Sequence, residues 1–293
     1  LFDSDGTTLI DSIAFEDQVT DISYGRVPDA SEEWAFLGRP TPGKPNTRGY
    51  IGAVADTKFS HDRGFYDQPF DLVISCDTEG AQIRYTTDGT KPTEQHGTVY
   101  TNPVYISSTT CIRAAAFKPG WLPTDVDTQT YIFGADSRRK AIPTLSMVGI
   151  SSGRGGGGTP ISLELIYSDE FLQQRGANWK GFQTDCETAD HSGAGYRLRW
   201  KSEIGDAHLD YPFFEAAPVA AELTTDRFDR IVLRGGKNSS TTYLGDPWVQ
   251  VSEKVMAGFG CNSMFMHLYK NGQYTGVTNP KERPDAWSWS SYY

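Results

Sequence analysis

Residues 81–93 read AQIRYTTDGTKPT, and the way they divide decides the fold. Ile83 and Tyr85 alternate with polar neighbours, which is the period of a half-buried strand. Asp88-Gly89 supplies the positive φ that a tight hairpin turn needs. Pro92, with no backbone N–H, prevents the run from continuing unchanged. The same pattern repeats on either side. Leu72, Ile74 and Cys76 share one face of a preceding run. YTNPVYIS (100–107), TTCIRAAAF (109–117) and DTQTYIF (127–133) follow, each bounded by turn residues. Short strands at this spacing predict a β-sandwich.

AQIRYTTDGTKPT, YTNPVYIS, TTCIRAAAFKPGWLPT and TYIF together resemble the chitobiase/β-hexosaminidase C-terminal domain, an immunoglobulin-like accessory module of secreted carbohydrate-active and surface proteins. The resemblance covers residues 66–134 and implies no catalytic residue. Tyr85, Tyr100 and Trp121 are aromatics of the kind that stack on sugar rings, and equally of the kind that fill a sandwich core. Cys76 and Cys111 fall in two of its strand-like runs. They are read either as a disulfide, worth roughly 3–4 kcal/mol through the unfolded state, or as two buried thiols. The even count of four cysteines leans towards an oxidising compartment.

Residues 1–46 carry half-buried strand signals at Leu9, Ile13 and Phe15, between Asp-Gly and Pro-Gly turns. With DSDG, SYGR, Trp34 and the closing PTPGKPN, the segment resembles the C-terminal part of a lamin-tail domain, another immunoglobulin-like sandwich. Residues 47–65 read as a linker.

A second linker is expected over 135–160; its IPTLSMVGI is strand-like and its SSGRGGGG is a glycine tract. Gly149-Ile150-Ser151-Ser152-Gly153 fits a nucleophile-elbow spacing but lacks the helix that must follow the serine. Gly153, Gly155 and Gly158 fit a dinucleotide fingerprint and fail it for the same reason. Strand, glycine loop, strand is also the order in which kinases cover nucleotide phosphates, although four consecutive glycines satisfy that spacing cheaply. TDCETADH (184–191) lacks the second ligand pair that zinc requires and is expected to be a solvated acidic loop. DPWVQVSEKVMAGFG (246–260) is the best helix, with Asp246 as N-cap, Pro247 at the first position and Trp248, Val251, Val255 and Phe259 on one face. Asn271-Gly272 turns a final hairpin.

ISLELIYSD, GFQTD, YRLRWKSEIGDAHLDYPFF, FDRIVLRGG and above all LYKNGQYTGVTNPKERPD resemble the N-terminal portion of the spore-coat-H (CotH) kinase-like family. The resemblance runs through residues 161–285, and residues 161–293 are expected to form part of such a domain. It implies an atypical protein kinase that transfers phosphate from ATP to Ser of surface proteins with a divalent metal. Arg197, Arg199 and Lys201 are the basic residues that would approach phosphate, and Glu282 and Asp285 match the family's acidic signature. The Pro-Lys-Lys-Ser stretch usual before YRLRW is replaced by ETADHSGAGYRLRW, and the family's catalytic Asp/Asn-rich segment would lie beyond the last residues here. No catalytic or metal-binding residue is therefore expected, and ATP and Mg are implied for the parent family only.

The fold class expected is mainly β: immunoglobulin-like sandwiches followed by an α+β partial kinase-like domain. A net charge of −10 disfavours nucleic acid as partner. No run of eighteen apolar residues occurs, so no helix is expected to span a membrane. The chain starts at Leu1 without Met, as a piece of a longer secreted bacterial protein would. Its expected partners are a surface protein substrate or a polysaccharide. The rival readings are a non-enzymatic adhesion scaffold and an accessory segment of a glycan-active enzyme.

Overall fold

The computed structural model describes residues 1–15, 22–38, 41–150, 158–191, 195–217, 225–234, 245–257 and 260–282. Among them β1 (Ser23–Arg26) and β2 (Trp34–Leu37) form a hairpin. Tyr24 stacks on Trp34, and Arg26 pairs with Asp11 at 2.6 Å. Leu9, Ile13 and Phe15, expected to be half-buried, are exposed, because no sheet lies over them among the described residues.

A sandwich follows. Its strands are β3 (Thr57–Phe59), β4 (Gly64–Tyr66), β5 (Phe70–Leu72), β6 (Ile74–Cys76), β7 (Gln82–Thr86), β8 (Thr98–Val99), β9 (Val104–Ile106), β10 (Thr110–Phe117) and β11 (Asp127–Phe133). One sheet has the order β4-β11-β10-β7-β8, and the ladders β3–β6 and β5–β9 complete the module. Leu72, Ile74 and Ile106 from the ladders pack against Ile112, Ala114 and Tyr131 from the sheet. Asp88-Gly89 makes its turn with Gly89 at φ 83°. The stretch 47–65 is less of a linker than its polarity suggests: it contributes β3, and Val54 joins the core.

The third region contains β12 (Thr144–Val148), β13 (Thr159–Ile166), α1 (Asp169–Arg175), β14 (Gln183–His191), β15 (Gly195–Arg199), β16 (Leu209–Asp210), β17 (Arg227–Phe228), β18 (Arg230–Arg234), α2 (Gly245–Ala257), β19 (Met266–Lys270) and β20 (Gln273–Lys281). Its strands close into a barrel of order β12-β13-β14-β15-β18-β20-β19, with α1 and α2 among them in the chain. Parallel pairing of β12 with β19 closes it, so the strand inside the expected 135–160 linker is a stave of the barrel. Leu145, Met147, Leu163, Leu198, Leu233 and Met266 fill the interior. α1 was not foreseen. Ser168 caps it by accepting from the Phe171 N–H, and Gly176 ends it in the left-handed conformation.

Sandwich and barrel meet through faces that sequence polarity assigns to solvent. On β10, Ile112, Ala114 and Ala116 enter the sandwich core, so Cys111, Arg113 and Ala115 point the other way, and all three are buried. On β13, Leu163 and Leu165 enter the barrel while Ser162, Glu164 and Ile166 point outward, and these too are buried. Glu164 accepts from the Thr130 backbone N–H at 3.0 Å and from the Thr130 hydroxyl. Ser146 lies 2.8 Å from that hydroxyl, and Arg63 stands 3.8 Å from the carboxylate. Gln183 of β14 accepts from the Thr128 N–H at 3.0 Å. Ile132, Ile166 and Tyr269 form a small apolar cluster in the same seam.

This alternation corrects the disulfide reading. Cys76 packs beside the sandwich core and donates to the Ala55 carbonyl, whereas Cys111 is on the opposite face of β10, 3.3 Å from the Thr130 hydroxyl. All four thiols are free. Burial, and secondarily the Glu164 charge, pushes the Cys111 thiol up to about 12.

Candidate functional site

Three places were singled out by sequence, and the structure treats them differently. At the barrel rim, β14 presents Glu187 directly opposite Arg199 of β15. Lys201, just past β15, reaches the Glu187 carboxylate at 2.6 Å, and Arg199 stands 3.8 Å from it. Gly158, which closes the glycine tract, is pressed so closely on Glu187 that a Cβ there would lie 1.9 Å from its Cδ. The tract itself (151–157), with its elbow and fingerprint spacings, lies outside the described residues. Arg197 shares the outward face of β15 with Arg199, because Tyr196 and Leu198 turn inward. This rim gathers a glycine, two cations and one carboxylate: it can hold an anion, with one cationic charge already offset by Glu187.

Glu282, just past β20, is held in a polar cluster of its own. Its carboxylate accepts from the Asn262 N–H at 2.7 Å and from the Asn262 amide at 3.0 Å. Lys254 of α2 donates to the other end of the same amide. Burial draws the Lys254 ammonium below its ordinary range, against the opposing pull of Glu282. The cluster ties α2 to the end of β20. Asp285 lies outside the described residues, as do the side chains of residues 245–247.

The sandwich aromatics are committed to packing. Tyr85 and Tyr100 meet edge to face at 6.4 Å against the core, and the Tyr100 hydroxyl accepts from the Ile74 N–H at 3.1 Å. The Trp121 ring carries the Lys118 ammonium 4.1 Å from its centroid, and the Gly52 backbone lies against it. Sequence reasoning missed a different set of aromatics, Tyr167, Trp179, Phe182 and Tyr211, which crop out partly exposed over the barrel core. Their spacing follows neither period, so no local signal marks them as a group.

Among the described residues, no three His, Cys, Asp or Glu side chains converge on a point where a metal could sit. No helix there is long and apolar enough to cross a membrane. No curated protein and no solved structure matches the chain. Residues 61–128, the sandwich from the approach to β4 into the start of β11, match the chitobiase/β-hexosaminidase C-terminal domain family.

Proposed function

We propose that this chain is a non-catalytic accessory region of a secreted, multi-domain bacterial protein that acts on or attaches to glycans. The observation that carries this reading is the match of residues 61–128 to the chitobiase/β-hexosaminidase C-terminal domain family. The sandwich, whose family accompanies carbohydrate-active enzymes, is hydrogen-bonded to the barrel through Thr130, Glu164 and Gln183 instead of hanging from a flexible tether. A sandwich fixed in this way holds its neighbour at a set distance and angle. The test is retention of the full chain on insoluble chitin and cellulose, compared with an inert matrix. Equal recovery from all three would sink the reading.

The barrel rim favours a second reading, in which the parent is a CotH-type protein kinase with a surface protein as substrate. The glycine-bounded cluster of Glu187, Arg199 and Lys201 suits the phosphate groups of ATP, and Arg199 and Lys201 would hold them. ATP would supply the transferable phosphoryl group. Among the described residues no group of three carboxylates converges where its Mg could sit, and Arg199 and Lys201 are there for the anion. Millimolar MgATP should then raise the melting temperature by mass action, and Lys201→Met should abolish the rise. An unchanged melting temperature in the wild-type chain removes the kinase reading.

A further inference from the structure

Two clefts lie on either side of an aromatic ridge. The first, of about 510 Å³, opens between the modules: Arg63 to Asp67 of the sandwich form one wall, Lys140, Tyr167 to Glu170 and Gln173 the other. The second, of about 410 Å³, is lined by Phe182 and Tyr211 together with Asp206, Asp210 and Arg227. The Tyr167 and Tyr211 hydroxyls stand 3.4 Å apart, so the ridge joins the two clefts. Phe182 packs on Tyr211 with ring centroids 4.7 Å apart, and Trp179 lies 5.9 Å from Tyr167.

Both volumes fall in the range of small-ligand sites. Each mouth carries a carboxylate–cation pair: Lys140 lies 3.6 Å from Asp67 and 3.1 Å from Glu170, and Arg227 lies 3.5 Å from Asp210. Adjacent acceptor and donor groups of this kind match the vicinal hydroxyls of a pyranose. The partly exposed rings match its C–H face. Carboxylates outnumber cations in both clefts, since Asp169 adds to the first and Asp206 to the second. That balance repels uronate or sulfated chains and admits neutral or amino-bearing ones.

We propose that the ridge and its flanking clefts form one extended groove for a neutral or amino-substituted polysaccharide, with sugar rings in both clefts and the chain crossing Tyr167 and Tyr211. The inference rests on the accessory-region reading and gives it a location. One wall of the first cleft comes from each module, so docking of the sandwich is what completes the groove.

The experiment titrates the full chain with N-acetylglucosamine hexamer and dimer, cellohexaose, glucosamine hexamer and galacturonate hexamer. Calorimetry gives the affinities, and amide chemical-shift mapping of the wild-type chain gives the location. A neutral or amino hexamer should bind at least about tenfold more tightly than the corresponding dimer, because only the longer chain engages both clefts. Shifts should cluster in both clefts. Tyr211→Ala and Asp67→Asn should each weaken the hexamer several-fold, while Tyr211→Phe, which keeps the ring, should bind nearly as wild type. Equal affinity for hexamer and dimer, or shifts confined to some other surface, overturns the groove and leaves the accessory reading intact. Preference for galacturonate overturns the ligand class. Failure to bind any of these sugars, together with no retention on chitin or cellulose, overturns both.

Discussion

At Glu164 the fold puts a barrel carboxylate where no water reaches it and gives it Thr130 and Arg63 of the sandwich as company. Burial raises its proton affinity above the ordinary glutamate range, and the Arg63 charge and Thr130 hydrogen bonds offset this only in part. The folded state therefore binds the proton more tightly than the unfolded chain. The stability this group contributes is complete below its unfolded pKa and is lost as pH rises through the folded value. Asp127 behaves alike: burial lifts it to about 6, against the lowering effect of the Thr57 hydroxyl, so its loss is complete soon above that pH. Urea melts of Glu164→Gln should accordingly gain on wild type as pH rises from 4 upward, and those of Asp127→Asn should stop gaining a little above pH 6. A gap that narrows with rising pH would refute the account. Thr130→Val removes a hydroxyl from a buried carboxylate and should cost about 1–3 kcal/mol.

Helix α2 shows what an element can conceal. Its apolar periodicity was expected to mark the buried face, yet Trp248, Val249, Val255 and Met256 are exposed while Gln250 and Lys254 are buried. The reversal follows from the Lys254–Asn262–Glu282 fastening, a partnership across distant segments that no helical period encodes. Lys254→Ala should therefore destabilise by about 1–3 kcal/mol, by stripping the Asn262 amide of its donor. Trp248→Ser should stay within about 0.5 kcal/mol. Thermal melts showing the opposite order would restore the amphipathic expectation. The hairpins, by contrast, were legible, because their information is local: Asp88-Gly89 and Asn271-Gly272 turn where their dipeptides demand, with Gly89 at φ 83° and Gly272 at φ 77°. The strands beside them were legible in position but only half legible in environment. Ser146 and Ser162 alternate with apolar residues as solvent-facing positions would, and the polar run Thr128-Gln129-Thr130 reads as exposed, yet all five are buried. The same limit applies to the rim. Spacing put Arg199 and Lys201 near one another, but their partner Glu187 comes from the register of β14 on β15. The aromatic ridge is a wholly tertiary assembly.

In the whole molecule the two modules interlock even at their turns. A Cβ on Gly89 of the sandwich hairpin would lie 2.9 Å from the Asn271 side chain of the barrel hairpin, and Asn271 itself accepts from the Gly149 N–H at 2.8 Å. The sandwich's own limits lie further upstream than its strand pattern suggested, since β3 pairs with β6 and Thr57 donates to Asp127. A piece spanning 50–136 should thus melt higher than one spanning 64–136; equal melting temperatures would make β3 dispensable. The docking itself can be separated from the folding of either module at Thr130. That residue is fully buried, yet it faces away from the sandwich core and towards Ser146 and Glu164. A tyrosine there has no room in the closed seam and ample room once the seam opens. Thr130→Tyr should leave the sandwich core intact, release Glu164 to water, and turn a single calorimetric transition into two. It should also slow nothing in the Gln82–Thr86 hairpin, whose amide protection against hydrogen exchange should persist. If the variant still unfolds in one transition, merely at lower temperature, sandwich and barrel are a single cooperative unit, and the seam is core for both.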